Sequence, residues 1–138
     1  MSYNNPVKNW ILSDMDKMLD LLPIMEAGGF QIATWPGSGV YPDYHPIVNE
    51  FMDLGYNTSC FTQPYEPLPE DPAGVDPMQV LKTASDMENA SINQIRRFFI
   101  QCLRAEKFCD GAIEGRFKDG RLLAALRRVR QLRNAMGA

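Results

Sequence analysis

Histidine is almost missing from this chain: His45 is the only one in 138 residues. A metal centre built on imidazoles is therefore excluded, and general-base chemistry has a single imidazole to draw on. His45 stands between Tyr44 and Pro46 and reads as the mark of a helix start. Cysteine is scarce too. Cys60, Cys102 and Cys109 are odd in number and show no Cys-x-x-Cys spacing, so neither a disulfide framework nor a zinc site is supported. There is no Asp-x-Asp-x-Asp-Gly loop for a hard cation. Gly37-Ser38-Gly39 continues into neither a P-loop nor a dinucleotide fingerprint, and no Gly-x-Ser-x-Gly elbow occurs. We therefore expect no cofactor, no metal and no enzymatic activity. No apolar run approaches the roughly 18 residues of a membrane span, and the polar start Met1 to Pro6 lacks the basic and apolar regions of a signal peptide. The expectation is a cytoplasmic protein that does not bind membranes.

What is abundant is charge, and it is segregated. Residues 1 to 90 carry 3 basic and 13 acidic side chains, a net of −10, whereas residues 91 to 138 carry 11 basic and 4 acidic, a net of +7. Either the acidic front packs against the basic C-terminal helices, or the arginines of the last helix face an anionic partner. With 45% apolar residues the chain suits one domain over 1–138, with a tail at 1–9.

In chain order, Ser13 can cap a helix with Met15, Met18, Leu19 and Leu22 inward, which Pro23 ends or kinks. Gly28-Gly29 breaks the chain. Residues 30–35 alternate as a strand, and Tyr56 to Thr62 supply a second one. Between them Pro46 starts a helix with Ile47, Phe51 and Leu54 on its inner face and Gly55 at its exit. Residues 63–77 hold five prolines with Glu66, Glu70, Asp71 and Asp76, and read as an acidic surface loop whose carboxylates are solvated. A short helix through Met78, Leu81 and Ala84 follows.

The C-terminal block is the most regular part. Ser91 and Gln94 form a capping box, and Ile92, Ile95, Phe98, Phe99, Cys102 and Leu103 recur on one helical face. After Asp119-Gly120 a second stripe runs through Leu122, Leu123, Leu126, Val129, Leu132 and Met136. Glu106 projects into the first stripe and Arg133 into the second, so an antiparallel helix pair would let Arg133 or Arg130 answer Glu106. Arg121, Arg127 and Arg128 project to the opposite side and are the candidate anion-binding residues. Cys109 sits at a helix exit beside Asp110, with no activating base or positive environment, so it reads as part of the turn and not as a nucleophile.

The run Arg104-Ala105-Glu106-Lys107-Phe108-Cys109-Asp110-Gly111, followed by Leu122 to Leu132 with Arg127-Arg128, resembles the closing signature of the family known as domain of unknown function 6508, found in bacteria and their phages. Leu21-Leu22-Pro23, Ala33-Thr34-Trp35, Tyr41-Pro42 and the segment Pro46 to Leu54 add to the resemblance, which covers about Leu19 to Arg133. Members of that family often place His-Trp after the Cys-Asp-Gly turn, where this chain has Ala112-Ile113. Chemistry hung on that histidine is absent here. The resemblance implies a shared fold and a bacterial or phage setting, and it leaves function open.

The fold class expected is α+β: a small sheet of two or three short strands packed by helices, with the C-terminal antiparallel pair. By elimination the function expected is protein binding, through the aromatic residues Trp35, Tyr41 and Tyr44, with a homodimer as one form of it. Nucleic-acid binding through Arg121, Arg127 and Arg128 is the rival, against which the sequence pI of about 5.1 stands. A third reading makes the acidic front half a nucleic-acid mimic that blocks a defence complex.

Overall fold

The computed structural model describes residues 12–36, 42–57 and 65–136. Tyr41, Cys60, the Gly37-Ser38-Gly39 turn and the tail at 1–9 lie outside them. Helix α1 (Leu12–Leu19) turns Met15 and Met18 inward, and α2 (Leu22–Ala27) follows at once. Pro23 stands in the first turn of α2, where its missing N–H costs nothing, so it both ends one helix and starts the next.

Strands β1 (Ala33–Thr34) and β2 (Asp43–Tyr44) pair antiparallel, Ala33 opposite Tyr44 and Thr34 opposite Asp43. The sheet thus closes over a much shorter connection than expected. The proposed partner segment from Tyr56 does not start a strand: Tyr56 and Asn57 continue helix α3 (Pro46–Asn57), and residues 58–62 lie outside the described range. Gly55, expected to end α3, is buried inside it. Pro46 opens α3 as expected.

Two 3₁₀ turns, Pro77–Gln79 and Ala84–Asn89, precede α4 (Ile92–Phe108). The Ser91 box is formed in both directions, Gln94 N to Ser91 Oγ at 3.1 Å and Ser91 N to Gln94 Oε1 at 2.9 Å. The C-terminal block then departs from the expected pair. Between α4 and α6 (Arg121–Ala135) stands a further helix, α5 (Ala112–Lys118), which buries Ile113 and Phe117. Its seven residues show too little periodicity to be read from sequence.

One core joins these elements. Phe51 of α3 meets Phe99 edge-on at 5.4 Å and Phe117 at 6.4 Å. Leu122, Ala125, Leu126 and Val129 of α6 are buried, and α6 packs against α1, α2, α4, α5 and the turn Ala84–Asn89. The architecture is mostly helical with one two-stranded sheet.

Candidate functional site

Two polar nodes are anchored on α4. The first lies at its C-terminal end. Gly111 holds φ +92, a left-handed conformation open to glycine at little cost, and this swings the backbone N–H groups of Gly111 and Ile113 back toward Glu106. Glu106 Oε1 accepts from Ile113 N at 3.0 Å, and Oε2 accepts from Gly111 N at 3.3 Å and from the Tyr44 hydroxyl at 2.6 Å. The Tyr44 oxygen in turn accepts from Gly111 N at 3.1 Å. Next to it, Trp35 Nε1 donates to Glu114 Oε1 at 3.1 Å, and the indole lies so close over Gly111 that a Cβ there would stand 2.7 Å from Trp35 Cζ2. The strand pair is thereby docked onto the α4–α5 turn by its two aromatic side chains.

Glu106 is therefore not answered by arginine. Arg133 pairs with Asp16 on α1 at 3.0 Å, and Arg130 reaches Glu26 on α2 at 3.4 Å. The reason is geometric: α5 intervenes between the two helices that were expected to be neighbours in sequence order, and the backbone donors of its own first turn reach Glu106 first.

The electrostatics of this node disfavour acid–base work. Burial, with the adjacent Glu106 carboxylate, pushes the Tyr44 hydroxyl above its ordinary range, so it stays a neutral donor. Burial pushes the Glu114 carboxyl up, but Lys118 and the Trp35 indole together hold it below the usual value. Phe108, Cys109 and Asp110 are exposed. Cys102 is buried, its thiol pushed up to about 12 by burial, which removes it as a nucleophile at neutral pH. His45 Nδ1 accepts from Ile47 N at 3.1 Å while its ring rests on Phe30, so it caps the start of α3.

The second node was not foreseen. Arg97 and Asp71 form a two-pronged pair, Nη1 to Oδ2 at 2.6 Å and Nη2 to Oδ1 at 2.8 Å, with side-chain exposures of 2% and 5%. Arg97 Nη1 also donates to the Glu66 carbonyl, Gln94 Nε2 to Asp71 Oδ1, and Leu68 N to Asp71 Oδ2. The Ser91 hydroxyl donates to Glu70. Burial pushes Asp71 up, but Arg97, the Leu68 amide and Gln94 outweigh it and hold the carboxyl at about 2. The proline-rich segment is thus strapped to the polar face of α4, and its central carboxylate is buried, contrary to the solvated loop expected. Every buried side-chain nitrogen and oxygen among the described residues has a partner.

The arginines of α6 are largely engaged within the fold. Arg121 pairs with Asp119 at 2.8 Å and lies 5.7 Å from the centre of the Phe98 ring. Arg127 pairs with Glu26 at 3.0 Å, which holds that carboxyl below its ordinary value. Arg128 donates to the Ala90 carbonyl and to Gln131. The acidic front half and the basic helices therefore meet inside the molecule.

Of the predicted aromatic set, Trp35 remains 42% exposed, Tyr44 is turned inward, and Tyr41 lies outside the described residues. Among the described residues no group of three or more His, Cys, Asp or Glu side chains could hold a metal, and no helix is long and apolar enough to cross a membrane. The model of a family described as "Family of unknown function (DUF6508)" matches residues 11–135. No curated protein and no solved structure matches the chain.

Proposed function

The chain belongs to the family of unknown function DUF6508, and we propose that within it this domain works as a non-catalytic protein-binding module whose contact surface centres on Trp35 and Phe108. One observation carries the reading. Trp35 is fixed at its nitrogen by Glu114 and beneath its ring by Gly111, yet 42% of it is exposed, while Phe108, three residues before Gly111, is 77% exposed at the end of α4. A large aromatic side chain held rigid before binding loses little entropy on complex formation, which is the character of an interface hot spot. The carboxylates and hydroxyl beneath it are committed to hydrogen bonds that hold the turn, and this favours recognition over catalysis.

The reading of nucleic-acid binding along the Arg helix has less support, because Asp119 engages Arg121 and the sequence pI is only about 5.1. A bacterial or phage setting and a cytoplasmic location remain part of the proposal. Affinity capture from bacterial extract tests it, with the wild-type chain compared against a Trp35→Ala/Phe108→Ala variant of unchanged helical signal. A stoichiometric partner, or self-association seen by light scattering, that the variant loses supports the reading; a partner retained in full by the variant overturns it.

A further inference from the structure

Beyond the aromatic surface, a groove of about 380 Å³ runs between the 3₁₀ turn Ala84–Asn89 and the middle of α6. Ser85, Met87 and Glu88 line one wall, and Arg127, Arg128 and Gln131 the other. The volume falls in the range of small-molecule sites. Met87 is buried to 1% exposure and gives the groove an apolar base.

The charge around it does not balance. Glu26 is shared by two guanidinium groups, Arg127 on Oε2 and Arg130 on Oε1, so one positive charge of that trio stays uncompensated. Arg128 bonds only to neutral oxygens among the described residues, the Ala90 carbonyl at 2.8 Å and Gln131 Oε1 at 3.0 Å. These bonds orient the Arg128 guanidinium without neutralising it. Two arginines on one groove, one held by neutral acceptors and one only partly neutralised, leave a positive surplus beside Glu88 and suit a phosphate group, which guanidinium forks bind through paired N–H groups. The Ser85 hydroxyl and the Gln131 amide offer uncharged donors beside them. Glu88 is the one acid lining the groove and suits hydroxyl or amino groups on the body of a ligand, which it can accept from.

We propose that this groove binds a small organic phosphate, a phosphomonoester on a hydroxylated body such as a pentose or a nucleoside, with the phosphate on Arg127 and Arg128 and a body hydroxyl on Glu88. Inorganic phosphate fills only the first part of the site. A phosphate in a nucleic-acid backbone is the competing source of the same chemistry, and the carboxylate of Glu88 on the groove wall, which would repel a polyanion and can accept from a body hydroxyl, favours the free monoester.

Calorimetric titration of the full chain with ribose 5-phosphate and AMP tests this, with ribose, adenosine, inorganic phosphate and a single-stranded oligonucleotide as comparisons. The monoesters should bind at least tenfold more tightly than inorganic phosphate, and the uncharged bodies should not bind. Arg127→Gln, whose side chain is half exposed and so should leave the fold intact, should weaken the monoesters at least tenfold. Glu88→Gln should narrow the preference for the monoesters over inorganic phosphate several-fold, because it removes the body's acceptor and does not weaken the phosphate contacts. Arg128→Lys keeps the charge but loses the fork, and should also weaken binding. Absence of monoester binding at millimolar concentration, binding indifferent to Arg127→Gln, or an oligonucleotide that binds more tightly than AMP would each overturn the proposal.

Discussion

The Tyr44 hydroxyl stands 2.6 Å from Glu106 Oε2, and this bond ties a two-residue strand to a helix end 62 positions further along the chain. The carboxylate also holds the N–H groups of Gly111 and Ile113, so one side chain fixes the docking of β2 and the path of the α4–α5 turn together.

Tyr44→Phe removes one charge-assisted bond and should cost about 2 kcal/mol in denaturant unfolding. Glu106→Ala leaves the Tyr44 hydroxyl and the Ile113 amide without their acceptor and should cost more. The raised Tyr44 pKa fixes the sign of a pH effect: the phenol's stabilising contribution is complete below its ordinary value of 10 and declines as pH rises above it. The stability difference between wild type and Tyr44→Phe should therefore shrink in alkaline solution and stay flat from pH 6 to 9.

The Asp71–Arg97 pair has the opposite pH signature. Its carboxyl is lowered from 3.8 to about 2, so its contribution is complete above pH 4 and is lost as pH falls toward 2. That shift corresponds to something on the order of 2 kcal/mol. The difference between wild-type and Asp71→Asn stabilities should disappear over that window and nowhere above it. At neutral pH either single change, Asp71→Leu or Arg97→Met, should cost about 3–5 kcal/mol, because each leaves a buried charge alone. The double change should recover most of that loss.

Two glycines of the same segment should respond in opposite directions. Gly111→Ala places a Cβ 2.7 Å from Trp35 and forces a left-handed residue, so a loss of about 2 kcal/mol or more is expected, together with a shift of Trp35 emission in a Trp10→Phe background. Gly115 lies within α5 with nothing near its added Cβ, so Gly115→Ala should stabilise by about 0.5–1 kcal/mol. Thermal melts of the two variants side by side would check both.

The charge crossing from front to back is open to the same treatment. Arg127→Gln and Glu26→Gln each remove an exposed contact and should leave the denaturation midpoint nearly unchanged, with salt reducing even the small difference. A larger, salt-independent loss in chemical denaturation would contradict this assignment.

What was legible in the sequence is the local part. The Ser91 capping box, Pro46 at the head of α3 and the apolar stripes of α4 and α6 all arise from contacts within a few residues, and all are present. The joining of charge between the two halves was one of the two readings that the asymmetry left open. The pairings themselves were not. Arg97 falls on the polar side of α4, a face that periodicity assigns to solvent, and nothing in the spacing says that a proline loop 26 residues earlier covers it. Glu106 was correctly singled out as an acid on an apolar stripe, yet its partners are backbone amides that exist only once Gly111 turns left-handed. The strand partner was misjudged because a two-residue strand carries no alternation to detect.

The contact of α1 and α2 with α6 has a bearing on how the chain is made. Met15, Met18, Leu21 and Leu22 belong to the same core as Leu126 and Val129, and Glu26 waits for Arg127, 101 residues downstream. On the ribosome the N-terminal helices therefore emerge long before the surface that covers them. Helix α3 can meet α1 earlier, but the core of this domain is not complete until α6 has emerged and packed against both N-terminal helices.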